Sequence, residues 1–270
     1  MTRFILITSG NEILNGDVLD TNTNWLCNMI TSMGAEVVRV AIVRDEVEAI
    51  SREIEHALSE RVDVIITSGG LGPTADDLTL EAVANAMHRK VMLNRTALLW
   101  VKRKFRSLAK AGSIGTAKIT DSREKMARLP EGSTPLKNSV GVAPGIILRY
   151  QESLVASLPG VPAELKAIFT EQLLPIIRKE FEERAYIQKE IIVDTNDESS
   201  LAKVLKEVAT AHSDTYIKSR AKSFGKDIKI HITISARANS MKVAKAVTSQ
   251  VVKELIDRFG ADGIKIISRR

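Results

Sequence analysis

The sequence has one cysteine and few aromatic residues, and both shortages narrow what the protein can be. With only Cys27 among 270 residues, an internal disulfide framework is excluded, and the four scattered histidines show no zinc-ligand spacing. Aromatic residues make up 4% of the chain, so we expect a core of mainly aliphatic side chains. Cys27 lies in a predicted helix between Leu26 and Ile30, a position that favours a small buried thiol over a nucleophile.

Long apolar runs are also missing. The first run, RFILITSG, stops at Gly10 and is too short for a membrane span or a signal sequence. We therefore expect a soluble, cytoplasmic protein without a membrane partner. The formal net charge of +6 favours anionic partners. Basic side chains gather at residues 100–110 and 216–229, but solvated surfaces explain these segments better than a nucleic-acid interface.

The first two thirds of the chain alternate apolar runs with helical periodicity. Strands are predicted at 3–10, 35–43 and 62–70, with helices between them, and this alternation is typical of parallel βαβ units. Helices at 78–88 and 95–111 follow, then an irregular stretch at 112–139, strands at 142–150 and 153–159, and a helix at 162–181. The predicted fold is α/β, a mostly parallel sheet with helices on both faces.

The pattern changes after this helix. Strand and helix signals then follow in the order βαββαβ, the plan of a small α+β, ferredoxin-like domain. We predict two domains, residues 1–183 and 184–270. The second domain lacks a nucleic-acid-binding motif, so we favour dimerisation or a cover over the active site as its role, with nucleic-acid binding as the alternative.

A glycine-rich stretch, TSGGLGPTADDLT at 67–79, directly follows the third predicted strand. Ligands of open parallel sheets lie beyond the carboxyl ends of the strands, where such loops leave the sheet. Glycines at 69, 70 and 72 let backbone N–H groups approach a ligand, and a helix predicted to begin near Leu78 directs its positive end to the same place. The stretch predicts a site for a phosphate or carboxylate, although it is neither a Walker A motif nor a GxGxxG fingerprint.

Two adjacent aspartates, Asp76 and Asp77, complete this stretch. Carboxylates beside an anion site repel the anion unless a divalent cation lies between them, so the pair indicates a metal site. The alternative is that an aspartate at this position only caps the following helix.

Other polar residues and glycines follow the remaining strands, and we expect them at the same sheet edge. Asp45 is a candidate general base or a helix cap. The further candidates for ligand binding are Asn11, Glu12, Asp17, Asp20, Thr21, Asn22, Asn138, Ser139, Gly141, Pro144, Gly145, Pro159, Gly160 and Glu164.

Taken together, GNEILNGDVLDTN, VRDEVEAI, TSGGLGPTADDLT, NSVGVAPG and LPGVPAE resemble the N-terminal part of the CinA family, the competence/damage-inducible protein A group, over residues 3 to about 175. The resemblance implies a molybdopterin-binding type of fold and a nucleotide-like ligand. It also implies hydrolysis of ADP-ribose to AMP and ribose 5-phosphate with Mg²⁺, Mn²⁺ or Co²⁺. Carried over by motif, it assigns the phosphate loop to Gly69, Gly70, Leu71, Gly72 and Thr74, the metal to Asp76 and Asp77, and an acidic catalytic position to Asp45.

Two departures keep alternatives open. The related molybdenum-cofactor enzymes usually carry GGTG, whereas this chain has GGLG followed by proline, which favours CinA over pterin chemistry. CinA proteins continue into an amidase domain, and we predict no amidase activity here. The alternatives are binding or adenylyl transfer of molybdopterin, and a module that senses a nucleotide without turning it over. We also expect a homo-oligomer, a dimer or a trimer.

Overall fold

The computed structural model describes residues 1–181, 184–195, 197–221 and 229–269, and the chain forms two compact units. The first unit comprises Met1–Ile30 and Ala35–Glu182, and the second comprises Thr31–Gly34 and Glu183–Arg270. Residue 183, where the sequence places the domain boundary, lies outside the described residues. So do residues 222–228, which include part of the basic segment at 216–229 and the start of the strand that the stretch DIKIHITISAR predicts at 227–237.

The first unit contains a six-stranded mixed sheet. Its strands are β1 (Arg3–Ser9), β2 (Glu36–Val43), β3 (Val64–Ser68), β6 (Thr134–Leu136), β7 (Gly145–Tyr150) and β8 (Ser153–Leu158), in the order β2-β1-β3-β8-β7-β6. The pairs of β1 with β2, β1 with β3 and β3 with β8 are parallel, whereas β7 and β6 are antiparallel. Because β3 and β8 are buried at every position, the centre of the sheet is covered on both faces.

Helices account for this burial. They are α1 (Asn11–Leu14), α2 (Thr21–Ser32), α3 (Val47–Ser59), α4 (Thr79–Ala86), α5 (Arg95–Lys110), α6 (Asp121–Lys125), α7 (Pro162–Ile168) and α8 (Leu174–Glu180). The spacing of Val47, Ile50, Ile54 and Leu58 predicts one apolar face for α3. The structure confirms it, because Ile50 and Ile54 are buried in the same core cluster as Ile5, Ile7 and Ile65 of the sheet. The core is largely aliphatic, as the scarcity of aromatic residues predicts.

The irregular stretch predicted at 112–139 contains short ordered elements in addition to β6. Strand β5 (Arg128–Pro130) pairs with β4 (Val91–Leu93) in a separate two-stranded sheet, and α6 precedes it. Three-residue strands are too short to show an alternating pattern in the sequence.

The helix predicted at 162–181 is interrupted. Residues Phe169–Leu173 form a π-helical segment between α7 and α8, and Pro175 is the second residue after this segment. Proline has no N–H to donate, and its ring crowds the carbonyl four residues before it. The widened π-helical turn accommodates Pro175, so that α7, the π-helical segment and α8 form one continuous helical segment. Both Phe169 and Leu173 remain fully buried.

The second unit is an antiparallel sheet with two helices. Its elements are β9 (Ala185–Asp194), α9 (Ser199–Ala211), β10 (Thr215–Ala221), β11 (Ile230–Ala238), α10 (Met241–Ala261) and β12 (Lys265–Arg269), and the strand order is β10-β11-β9-β12. This confirms the predicted βαββαβ plan and, with the first unit, the predicted fold class. No helix in the described part of the chain is both long and apolar enough to cross a membrane.

Candidate functional site

A cavity of about 550 Å³ opens at the carboxyl ends of β1, β3 and β8. Its size lies within the usual range for small-molecule sites, and its position is the expected one for an open parallel sheet. Among the predicted site residues, the cavity is lined by Glu12, Asp20, Thr21, Asn22, Asp45, Gly69, Gly70, Leu71, Gly72, Asp76, Asp77, Gly141, Pro159, Gly160 and Glu164. The structure thus brings together five predicted segments that are separated in sequence.

The glycine loop requires its glycines for backbone reasons. Gly69 and Gly70 have φ angles of 101° and 66°, a conformation that L side chains rarely adopt. A Cβ at Gly69 would lie 2.5 Å from the carbonyl oxygen of Ser9, and one at Gly70 would lie 2.3 Å from Oγ1 of Thr79. Larger residues at either position would move the loop away from the strand ends.

Three successive residues of this loop, Gly70, Leu71 and Gly72, line the cavity. Within the described part of the chain, the backbone N–H groups of Gly70, Leu71 and Gly72 make no hydrogen bond. The loop is nevertheless anchored, because Gly69 N–H donates to the Leu158 carbonyl at 3.0 Å and the Leu71 side chain is buried. A held loop with unsatisfied N–H groups is suited to bind an anion.

Thr79, the first residue of α4, anchors the glycine loop through hydrogen bonds. Its hydroxyl donates to the Gly69 carbonyl at 2.8 Å and lies 3.3 Å from the Ser9 hydroxyl, and its N–H donates to the Gly70 carbonyl at 3.2 Å. Thr79 is 1% exposed. Sequence reasoning missed the roles of Thr79 and Ser9, because an isolated hydroxyl after a loop carries no motif of its own.

The acidic pair is bound into the loop through Thr74. Asp77 Oδ2 accepts hydrogen bonds from the Thr74 N–H at 2.7 Å and its hydroxyl at 2.6 Å, and Asp76 Oδ1 also lies at that hydroxyl. Leu78 occupies the N-cap position of α4, and no side chain caps this helix. The alternative that the aspartates only cap the helix is therefore wrong. Thr74 does not line the cavity; it holds the two carboxylates that do.

The pKa of Asp76 is held below its ordinary value. The main cause is the hydrogen bond from Thr74, followed by the backbone N–H of Asp76 and the nearby charge of Lys125. The Lys125 ammonium donates to the Thr74 carbonyl, so α6 and the loop are connected at this point. Asp76 is thus ionised over the physiological range.

The donor set fits a divalent cation only in part. Among the described residues, no group of three His, Cys, Asp or Glu side chains is arranged to hold a metal. The hydrogen bonds described above use Oδ1 of Asp76 and Oδ2 of Asp77, which leaves each carboxylate one oxygen. Mg²⁺ is commonly held by one or two carboxylates together with substrate phosphates and water. The pair therefore fits a cation whose coordination a phosphorylated ligand completes.

Asp45 lies on the same cavity after β2. Its Oδ2 accepts a hydrogen bond from the Asn11 N–H at 2.8 Å, which positions the carboxylate. Asp45 does not cap α3, whose N-cap residue is Glu46. Asn11 does not line the cavity and contributes this backbone contact instead.

Asp20 and Asn22 have structural contacts at the start of α2. Asp20 accepts from the Thr23 N–H at 2.9 Å, the geometry of a helix cap, so capping accounts for it. Asn22 is 7% exposed and donates through Nδ2 to the Gly160 carbonyl at 2.6 Å. Asn22 thereby joins α2 to the turn after β8.

Seven predicted binding residues do not line the cavity: Asn11, Asp17, Thr74, Asn138, Ser139, Pro144 and Gly145. Asn138 is engaged within its own loop, since its Oδ1 accepts from the Gly141 N–H at 2.7 Å and its Nδ2 donates to Glu164 Oε2 at 2.5 Å. Gly145 is buried in β7, where a Cβ would lie 2.9 Å from the Ser157 carbonyl oxygen. Of this segment's predicted residues, Gly141 alone lines the cavity.

Apolar residues that the sequence reasoning missed also line the cavity. Phe105 of α5 and Met126 after α6 are buried in its wall, whereas Val18 and Leu19 are exposed in the loop before α2. The Arg123 guanidinium lies 4.0 Å from the Phe105 ring centroid and holds it in place. These residues come from segments without a motif, so only the fold brings them to the site.

Cys27 is half-buried. Burial raises the pKa of its thiol, and the negative charge of Asp20 raises it further. A thiol with a raised pKa is a poor nucleophile, in agreement with a structural role, although Cys27 is less buried than predicted.

Comparison with known proteins gives a consistent result. A family model described as a probable molybdopterin binding domain, MoCF_biosynth, matches residues 5–179. A protein of Aeropyrum pernix is 42% identical over 246 residues, covering 90% of this chain and 88% of the relative. A protein of Pyrococcus furiosus is 40% identical over 227 residues, covering 84% and 88%. The crystal structure of a CinA protein from Thermoplasma acidophilum, 36% identical, superposes with a TM-score of 0.59 and covers 65% of this chain and 98% of that one.

Proposed function

The chain belongs to the MoCF_biosynth family of probable molybdopterin-binding domains and is CinA-like in its first unit, and from that premise we propose that it hydrolyses the pyrophosphate bond of ADP-ribose. The products would be AMP and ribose 5-phosphate. Membership of this family already places the chain among cofactor-related or nucleotide-binding modules. The reaction itself is our proposal.

One observation carries the proposal: three unsatisfied backbone amides and two carboxylates border the same cavity. The amides of Gly70, Leu71 and Gly72 provide donors for phosphate oxygens, and Asp76 and Asp77 lie in the same loop. A pyrophosphate would use both features, because its oxygens require hydrogen-bond donors and its negative charge requires a neutralising cation, which the carboxylates would hold. A neutral ligand would not account for a pair of carboxylates at this position.

The carboxylates would act through a bound divalent cation. When held by Asp76 and Asp77, Mg²⁺, Mn²⁺ or Co²⁺ supplies Lewis-acid activation of the phosphorus and lowers the pKa of a water molecule. Thr74 fixes both carboxylates, so the loop presents them without further rearrangement.

Asp45 is the proposed general base. Its Oδ2 is held by the Asn11 N–H, and Oδ1 would accept the proton of the attacking water. The loop amides orient the phosphate, and the wall formed by Phe105 and Met126 excludes water and offers an apolar surface to a base or sugar ring.

A second candidate is the binding or adenylyl transfer of molybdopterin. The description of the matching family favours it, and the apolar wall at Phe105 suits a pterin ring as well as an adenine. A third candidate is nucleotide sensing without turnover, in which the amides bind phosphate and Asp45 has no catalytic role.

The test is incubation of the purified protein with ADP-ribose, with and without Mg²⁺, Mn²⁺ or Co²⁺, and measurement of AMP by chromatography. We expect metal-dependent AMP release that falls at least about a hundredfold in Asp77→Asn, because the metal loses a charged ligand. Asp257→Asn, which changes an exposed aspartate of the second unit, is the matched control.

Each outcome separates the candidates. Full turnover in Asp77→Asn with metal present would refute the assignment of Asp77. Absence of AMP with every metal, together with a rise in melting temperature on adding ADP-ribose, would favour sensing. Copurification of a pterin would favour the molybdopterin alternative.

A further inference from the structure

A second cavity, of about 330 Å³, lies between α5 and the segment that precedes β7. The main cavity and the second one share Gly141 and Val142, so they are neighbours in the first unit. The second cavity is lined by Trp100, Arg103, Lys104, Ser107, Lys137, Asn138, Ser139, Gly141, Val142 and Pro144. None of the roles assigned above to the main cavity involves its basic residues.

One wall is a face of α5. Trp100, Arg103, Lys104 and Ser107 are spaced three, four and seven residues from the first, the spacing that places side chains on one side of a helix. This face combines an aromatic ring with two cations and a hydroxyl. Such a combination occurs where proteins bind a phosphate next to an aromatic ring.

The opposite wall is a braced loop. Asn138 Oδ1 accepts from the N–H groups of Val140 and Gly141, at 3.0 and 2.7 Å, and its Nδ2 donates to the Ala143 carbonyl at 2.9 Å. Lys104 connects the two walls, since its Nζ donates to the Val140 carbonyl at 2.6 Å. The loop is therefore held in position before any ligand arrives.

The charged residues that line this cavity are all positive. The carboxylates of Glu171 and Glu164 do not line it, and they accept hydrogen bonds from its lining residues Ser139 and Asn138. Arg103, Lys104 and Lys137 line it, and no carboxylate does. Within the described residues, none of these three cations forms an ion pair. The Lys104 ammonium uses one of its three donors on Val140 and keeps two. Three cations facing one concave space create a positive potential that an anion would relieve.

We propose that this second cavity is a subsite for a phosphate group, with Arg103, Lys104 and Lys137 as its ligands and Trp100 beside it. Two sources supply such a group, a free phosphate ion or a phosphate carried by a ligand that also fills the main cavity, and the experiment below distinguishes them. This subsite follows from the charge and shape of the second cavity alone, so it does not depend on ADP-ribose hydrolysis and stands even if that hydrolysis is not observed.

The test uses the Trp100 indole as a local reporter. The chain has two tryptophans, and Trp25 packs edge-on against Phe169 in another part of the unit. In protein labelled with ¹⁵N-tryptophan, the indole N–H resonance that disappears in Trp25→Phe belongs to Trp25, and the remaining resonance belongs to Trp100. Inorganic phosphate and ADP-ribose are titrated separately into the wild type, Arg103→Glu and Arg106→Glu. Arg106 is exposed on the same helix and lines neither cavity, so its reversal changes the net charge equally.

We expect phosphate, ADP-ribose or both to shift the Trp100 resonance, with about tenfold weaker binding in Arg103→Glu because a charge-assisted contact is lost. Arg106→Glu is expected to change the affinity by less than about twofold. A response to inorganic phosphate alone identifies a free anion as the source, and a response to ADP-ribose identifies a ligand-borne phosphate. The Trp25 resonance reports whether each variant is folded.

Two results would overturn the subsite. One is a Trp100 resonance that responds to neither compound. The other is equal weakening in Arg103→Glu and Arg106→Glu, which would mean that only the overall positive charge attracts the anion.

Discussion

At the scale of single residues, the loop depends on hydroxyl groups that lie outside its motif. Thr74 positions both aspartates, and Thr79 holds the Gly69 carbonyl from the buried side. Neither residue would present its own side chain to a ligand. Their contribution is to fix donors and carboxylates that would otherwise be mobile, which is how supporting contacts make a site precise.

A substitution at Thr79 tests this role. Thr79→Val keeps the shape of the side chain but removes the hydroxyl, and leaves the Gly69 carbonyl without that donor in a buried place. We expect the free energy of unfolding to fall by about 1–2 kcal/mol and AMP release from ADP-ribose to fall with it. Chemical denaturation measures the first effect and the chromatographic assay the second.

Thr79→Ser is the matched control, because it keeps the hydroxyl and removes only a methyl group. If Thr79→Val and Thr79→Ser lose equal activity, packing of the methyl group rather than the hydrogen bond supports the loop.

At the scale of elements, much of the fold could be predicted, and the misses have identifiable physical causes. Periodicity identifies β1 to β3 and the face of α3, because continuous burial and helical spacing both leave a pattern in the sequence. The π-helical segment at Phe169–Leu173 leaves no such pattern in the sequence, which predicts one regular helix there. Strands of three residues are likewise too short to detect.

The residues of the candidate site also divide into those that the sequence predicts and those that only the fold reveals. The glycine loop and its aspartates could be predicted, because backbone geometry restricts the residue types that can form such a turn. Phe105 and Met126 could not be predicted, since any large apolar residue can form a wall and the tertiary fold alone brings them there. Asn138 was predicted as a ligand residue because a loop amide and a binding amide look alike in sequence.

In the second unit, the hydrogen bond between His212 and Glu254 predicts that the stability of the protein depends on pH. His212, directly after α9, lies 2.8 Å from Glu254 of α10, and this hydrogen bond is the main cause that holds the pKa of Glu254 below its ordinary value. Arg258 lowers the pKa further, while burial opposes both effects. A carboxyl whose pKa is lower in the folded state stabilises the protein above its unfolded-state pKa, and this stabilisation is lost as the pH falls through the folded value.

We therefore expect Glu254→Gln to reduce stability at neutral pH and to flatten the loss of stability on acidification below the ordinary pKa of a glutamate. Urea unfolding followed by circular dichroism across that range measures both effects. Glu152→Gln, at an exposed position in the first unit, serves as control. Parallel stability curves for Glu254→Gln and the wild type would contradict the linkage.

At the scale of the whole molecule, each unit has its own hydrophobic core. One core contains Ile65 of β3, and the other contains Ile232 of β11; both side chains are fully buried. All residues that line the main cavity belong to the first unit. Self-association into a dimer or trimer stays a prediction, for which light scattering is the direct measurement.

The separate cores lead to a prediction about unfolding. Trp25 and Trp100 both lie in the first unit, so tryptophan fluorescence follows that unit, whereas circular dichroism follows both. Ile232→Ala leaves a cavity in the second core that costs about 2–5 kcal/mol. We expect it to shift the transition seen by circular dichroism and to leave the fluorescence transition in place.

Ile65→Ala is the matched variant and should shift the fluorescence transition. If Ile232→Ala moves the fluorescence transition equally, the chain unfolds as one cooperative body.

The main-chain character of the glycine loop also bears on how sequences of this fold can diverge. The amides of Gly70, Leu71 and Gly72 are present whatever side chain position 71 carries, and the Leu71 side chain is buried away from solvent. Residues of the loop other than its glycines can therefore change without loss of these backbone donors. Preference for one phosphorylated compound over another would then arise from Val18 and Leu19 in the exposed loop and from Phe105 in the buried wall, because substitutions there leave the loop amides in place.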